Sequence, residues 1–150
     1  MMMTAHYSLE ELTASEVAAR AGIDNTPSAE VVRNLVRLAE GLELVRVALG
    51  HHAIHVTSGY RSPKLNQLVG GSNNSMHIQG LAADILCPAA GSPLELCRAI
   101  AKSSIGTDQI IHEFGQWCHV SFPPVWQIAR HELLTIRSVA TGAEMGLRNV

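Results

Sequence analysis

Asp84 and His119 stand in largely apolar runs, "LAADIL" and "WCHVSF", and His77, in "SMHIQGLAAD", ends the glycine- and asparagine-rich loop before the first of them. Asp84 lies inside the strand-like stretch "LAADIL". A carboxylate buried there is costly unless it is paired or bound to a metal. Either Asp84 sits on a solvent-facing side of its strand, or it has a partner. One nearby histidine would ordinarily be structural. Two histidines and a carboxylate together form a two-nitrogen, one-oxygen donor set. Three protein ligands with one position left open is the arrangement of catalytic zinc rather than structural zinc. Zinc takes imidazole and carboxylate readily and needs no redox chemistry. One Zn2+ per chain is therefore expected, held by His77, Asp84 and His119. The small residues Gly80, Ala82 and Ala83 would let the first two backbones approach a shared ion.

The positions of Ser75, His77, Gly80, Ala82 and Asp84 resemble the Ser-x-His-x-x-Gly-x-Ala-x-Asp signature of the zinc D-Ala-D-Ala carboxypeptidases and endopeptidases, peptidase family M15. "EFGQWCHVSF" resembles that family's closing Trp-x-His segment, and "SGYRSPKLNQLVGGSNNS" its arginine-bearing loop. With the helical start "YSLEELTASEVAARAGIDNTPS", the chain is most similar to the small, phage-associated branch, over roughly residues 7 to 123. The resemblance implies a hedgehog/DD-peptidase-like zinc fold and hydrolysis of an amide bond in the peptides of bacterial peptidoglycan. It implies His77, Asp84 and His119 as ligands, and Arg61 as the residue that holds substrate and stabilises the developing oxyanion. Ser75 matches the signature serine beside the substrate peptide. D-Ala-D-Ala, a D-Ala cross-link and L-Ala-D-Glu are all cut in the wider family, and this sequence does not separate them.

The general base is less direct. Some members carry glutamate three residues before the last histidine ligand, where this chain has Gln116, which cannot take a proton. Glu113 is the acidic candidate, and the phage-associated branch resembles this chain in having glutamate there. A two-residue turn at Gly115 and Gln116 would pair Glu113 with Cys118 and point it away from His119, leaving His112 on the ligand face. A bulge or a three-residue turn would instead bring Glu113 across from His119. So either the turn is not ideal, or His112 is the base. If neither reaches the ligand set, the rival reading gains: a catalytically inactive zinc-containing module that binds or assembles on the cell wall. Tyr60 and Trp117 flank the arginine and the last ligand, either as walls of a substrate groove or as packing.

These residues need elements to position them. "SLEELTASEVAARAG" carries two capping-box patterns, Ser8 with Glu11 and Thr13 with Glu16, and reads as one or two short helices ending at Gly22. Thr26, with Pro27 after it, reads as the cap of the next helix. Val31, Leu35, Leu38, Leu42, Val45 and Leu49 then draw one apolar helical stripe, stopped by Gly50. "AIHVTS" and "LAADIL" read as strands, separated by a loop with one helical turn near Leu65. Ser92, Pro93 and Glu95 open a further helix. "DQIIHEF" and "WCHVSF" read as a hairpin. After Pro124 only a weak amphipathic pattern remains, around "VWQIARHELLTI". The expectation is an α+β domain with a small, mostly antiparallel sheet and flanking helices, single over residues 1–150 with 124–150 as a C-terminal tail.

At 150 residues, 47% hydrophobic and 16% charged, the chain can bury a sizeable core. A net charge of −2 gives no basic footprint for nucleic acid. Three cysteines without CxxC spacing argue against a disulfide framework. The start has no signal-peptide pattern, and no apolar run reaches membrane-spanning length. The expected setting is synthesis in the cytoplasm, followed by release through a holin or delivery on a virion to the peptidoglycan. Oligomeric state is not readable.

Overall fold

The computed structural model describes residues 1–150. Helices α1 (Leu9–Thr13), α2 (Glu16–Ala21) and α3 (Ala29–Ala48) come first, followed by β1 (His55–Ser58), α4 (Pro63–Leu68), β2 (Ala82–Leu86), α5 (Pro93–Lys102), β3 (Gln109–Glu113), β4 (Trp117–Ser121), β5 (Glu132–Ile136) and β6 (Ala143–Met145). The architecture is α+β, as expected. None of the helices is long and apolar enough to cross a membrane.

Serines start the helices. Ser8 Oγ accepts the Glu11 N–H, Ser28 Oγ the Val31 N–H and Ser92 Oγ the Glu95 N–H. Two caps differ from expectation. Ser15, not Thr13, caps α2, and Ser28, not Thr26, caps α3. The Thr26 amide is instead taken by Asp24 Oδ1 at 2.9 Å, a local turn that delays the helix by two residues. Along α3 the stripe is buried at Leu35, Leu38, Leu42 and Val45. Each such side chain stabilises the fold by about 1.5–3 kcal/mol. Gly41 interrupts the stripe because the Phe122 ring occupies the space: a Cβ there would lie 2.4 Å from the ring.

The sheet order is β1-β2-β4-β3-β5-β6. Every pairing is antiparallel except β3 with β5. Its two faces have different jobs. Ile85, Cys118, Ile110 and Val120 join the core with α3 and α5. The register places Ser58 beside Asp84, Asp84 beside His119, and His119 beside Ile111, all on the other face.

Two parts of the C-terminal half depart from the sequence reading. The tail is not a loose amphipathic segment: β5 pairs in parallel along all of β3, and β6 pairs with β5. This covers the backbone edge that β3 would otherwise expose. The hairpin turn is Phe114-Gly115-Gln116 rather than Gly115-Gln116, so Glu113 pairs with Trp117. Phe114 adopts φ 57° and Gly115 φ 67°. A left-handed phenylalanine costs about 1–2 kcal/mol. It is held by its N–H donating to Ile136 O at 2.7 Å and by its ring meeting Trp117 edge-on at 5.5 Å.

Candidate metal centre and its cleft

The centre is built from β2, β4 and the loop before β2. Asp84 and His119 are direct neighbours across the β2–β4 ladder. His77 arrives from the loop, fixed at several points. Its ring Nδ1 meets Gly59 O at 2.7 Å, its N–H donates to Ser75 Oγ at 3.2 Å, and its carbonyl accepts the Arg61 N–H. Gly80 makes the approach possible, though not by clearing room for an ion. Its φ is +73°, and a Cβ would lie 2.9 Å from Val31 Cγ1 on α3. The signature glycine is thus a left-handed hinge pressed against a helix. Gly59 is equally restricted, because a Cβ would lie 2.3 Å from Leu12 O.

His77 Nε2 lies 3.3 Å and His119 Nδ1 3.1 Å from Asp84 Oδ1, so both rings converge on one carboxylate oxygen. The ligand atoms of the three residues all fall within 4.8 Å of one another, and all three residues are buried. With His77 Nδ1–H donated to a carbonyl, Nε2 is left as the free lone pair aimed at the cluster; this is how a metal-binding imidazole is commonly fixed. The donor set therefore fits zinc.

Burial and charge pull the members apart. Burial lowers His77 below the usual histidine value, despite Asp84. His119 is also penalised by burial, but its hydrogen bond to Asp84 and the charges of Asp84 and Glu113 outweigh this and raise it. Burial likewise pushes Asp84 up, while the two histidines more than offset it and hold the carboxyl well below its ordinary range. The rings of His77 and His119 meet edge-on at 5.0 Å.

Glu113 stands where the three-residue turn puts it, on the ligand face. Its Oε1 is 3.6 Å from His119 Nδ1, and its Oε2 accepts the Trp117 indole N–H at 3.0 Å. Burial raises its pKa above the ordinary glutamate value, with the Asp84 charge adding to the shift. His112 is on the opposite face, with Nδ1 2.9 Å from Arg148 O. Arg61 reaches the centre from the other side: Nη2 is 3.5 Å from Asp84 Oδ2, Nε donates to Ser58 Oγ at 3.3 Å, and Nη1 donates to Asn66 Oδ1 at 3.0 Å.

These side chains floor a cleft of about 1120 Å³. Ser75, Tyr60 and Trp117 all border it. Ser75 also props the His77 backbone, as described. Tyr60 is only 6% exposed and belongs mainly to the core, so it is a poor groove wall. Trp117 serves chiefly as the donor to Glu113. Cys118 is on the core face, as the alternation implies.

Two supporting residues escape sequence reading. Asn25 binds the backbone on both sides of Arg61: its Nδ2 donates to Tyr60 O at 3.1 Å and its Oδ1 accepts the Ser62 N–H at 2.7 Å. Asn66, buried on α4, accepts from Arg61 and donates to Ser72 O. Gly71 must be small here, since a Cβ would lie 2.1 Å from Asn66 Oδ1. Asn25 resembles any turn asparagine. The one signal for Asn66 is a carboxamide within the helical stretch "SPKLNQL".

Comparison with known proteins agrees with this geometry. The family model described as Peptidase M15 matches residues 5–121. The chain is similar to the "Zinc D-Ala-D-Ala carboxypeptidase" of Streptomyces albus G, at 39% identity over 70 residues, which is 47% of this chain and 26% of that protein. The matched stretch thus spans about a quarter of that relative's length.

Proposed function

Because the chain belongs to the peptidase M15 family, we propose that it is a zinc-dependent hydrolase that cuts an amide bond in the peptide part of bacterial peptidoglycan. The observation that carries this reading is the single face on which His77, Asp84 and His119 converge, with Glu113 and Arg61 on either side. When bound, zinc supplies a Lewis acid that polarises a carbonyl and makes water more acidic. The chain supplies the rest. His77, Asp84 and His119 would hold the ion. Glu113, raised by burial, takes a proton from the attacking water and returns it to the leaving amine. Trp117 fixes the carboxylate for that transfer. Arg61, fixed by Ser58 and Asn66, donates to the carbonyl oxygen as negative charge develops there. A peptide filling the cleft would displace bulk water and strengthen both interactions. Hydrolysis is direct, with no covalent intermediate; Cys118, the nearest thiol in sequence, faces away.

The rival, a wall-binding module without activity, gains weight where no base lies near the ligand set. Glu113 lies 3.6 Å from His119, near enough to the ligand set to support the enzyme reading. The cellular setting we propose is host lysis or a virion-carried enzyme, made in the cytoplasm and brought to the wall by a holin or the particle. The resemblance to the phage-associated branch supports it, and delayed lysis on deleting the coding sequence would test it.

The decisive test incubates defined muropeptides with zinc-loaded protein and reads the products by mass spectrometry. A chelated sample and His77→Ala run alongside. A fragment absent from both controls is the expected result, and its mass names the bond. Intact muropeptides, with one zinc bound per chain, would overturn the hydrolase reading in favour of the binding module.

A further inference from the structure

Besides Arg61, the cleft is bordered by Arg20 on α2 and by Arg130, which lies between β4 and β5 and beyond the family-matched residues. Arg130 is held in place by a carboxylate, whereas Arg20 forms no ion pair. Arg130 Nε donates to Asp108 Oδ1 at 2.9 Å and its Nη2 to Asp108 Oδ2 at 2.7 Å. The Asp108 side chain is 1% exposed and that of Arg130 53%. One edge of the guanidinium is thus spent on a buried carboxylate. Nη1 and the second Nη2 hydrogen remain free, on a half-exposed side chain at the cleft. A guanidinium locked this way is a pre-oriented donor pair for a second carboxylate. Asp108 neutralises part of its charge, so its contribution is to selectivity more than to tight binding.

Its place along the cleft indicates which carboxylate. Ile111 pairs with His119, and Asp108 lies three residues before Ile111. Arg130 stands two residues before Glu132, which pairs with Gln109, and β5 is two strands across from β4, so at about 3.3 Å per residue and 4.8 Å per strand its backbone is roughly 15 Å from His119. With the long Arg130 side chain covering part of that gap, an extended peptide with its cut bond at the centre would meet the guanidinium about three residues away. Peptidoglycan stems carry a suitable group there. Their D-glutamate is linked through its γ-carboxyl, which leaves the α-carboxylate free, and it stands about three residues back from a terminal D-Ala-D-Ala bond. Some walls amidate that group to D-isoglutamine, an isostere without the charge.

We propose that Arg130 recognises this free stem carboxylate and makes the chain selective for D-isoglutamate stems over D-isoglutamine stems. The inference rests on the peptidoglycan reading above. The experiment offers both stems, otherwise identical, in one mixture and measures relative kcat/KM by mass spectrometry. Calorimetric binding of each stem to the Glu113→Gln protein is measured in parallel. Wild type should prefer the acid roughly tenfold, the scale of one charge-assisted contact at a half-exposed site. Arg130→Gln should bring the ratio near one, and Arg130→Lys should keep part of it. Melting temperatures separate a structural role, which would lower stability while leaving the ratio unchanged. Such an unchanged ratio, or a wild-type ratio near one, overturns the inference. If neither stem is cut yet the acid binds better in an Arg130-dependent manner, the hydrolase reading falls and this one stands. If neither stem binds, both fall.

Discussion

The β1-β2-β4 half of the sheet and the β3-β5-β6 half contribute to one cleft by different means. In the first half every functional group has redundant supports. His77 is held at its ring, its amide and its carbonyl, and Asp84 and His119 are neighbours in a central ladder. In the second half each group has few supports. Glu113 is placed by one irregular turn and one indole, and Arg130 by one carboxylate. The first half brings together the three residues that could hold a metal. On the proposed reading, the second would supply the base and the contact that selects the peptide.

The sharpest way to break that division is to test whether the metal depends on the first half alone. His77→Ala should abolish both stoichiometric zinc binding and hydrolysis, because two remaining ligands do not complete a catalytic site. Metal analysis after gel filtration, alongside an activity assay, checks it. If His77→Ala kept a full equivalent of zinc, the ligand assignment would be wrong.

Next in size is the complementary change. Glu113→Gln should retain zinc and fold normally, while kcat falls by roughly 10²–10⁴-fold, the usual contribution of a positioned general base. His112→Gln, on the opposite face, should leave kcat within a few-fold. A larger loss in the His112 variant than in the Glu113 variant would reverse the assignment.

Asn66→Ala probes the supports of Arg61. The guanidinium keeps Ser58 and Asp84 but loses its Nη1 acceptor. The expected loss is about tenfold in kcat/KM, with zinc content unchanged. Asn66→Asp keeps the Arg61 acceptor and loses the donor to Ser72 O, so activity retained in that variant but lost in Asn66→Ala would assign the effect to Arg61 rather than to the loop contact.

How much of this was legible in the sequence follows the same division. Asp84 and His119 stand out because polar residues in apolar strands need a reason, and His77 through its spacing from Asp84; that Asp84 and His119 share a face comes from the β2–β4 register. The helices were legible through serine and proline starts, within two residues. The turn was not: Phe114 in a left-handed conformation contradicts local preference and is held by Ile136, a contact from residues far along the chain. For the same reason β5 looked like a weak amphipathic segment. Its strand identity comes from the β3 edge it covers, which is not encoded locally. Asn25 and Asn66 are ordinary polar residues until the fold brings them to Arg61.

The smallest predicted effect tests whether Asp108 and Arg130 also help hold the second half together. The hydrogen bonds from Arg130 lower the Asp108 pKa below its ordinary 3.8, against the burial that would raise it. A carboxyl with a lower pKa folded than unfolded favours the folded state wherever it is ionised. That contribution is fully present above the ordinary value and is lost as pH falls through the lowered one. Because Arg130 is half exposed, solvent screens the pair, and its contribution is about 1 kcal/mol. Asp108→Asn should therefore lower stability by about that amount near neutral pH, and the difference from wild type should shrink as pH falls below about 4. Urea midpoints of the metal-free proteins, measured from about pH 3 to 7, isolate this pair from histidine protonation that would release zinc. A difference that stayed constant across that range would mean that Asp108 acts through its shape in the packed strand end, and that β5 is anchored by the β3 ladder alone.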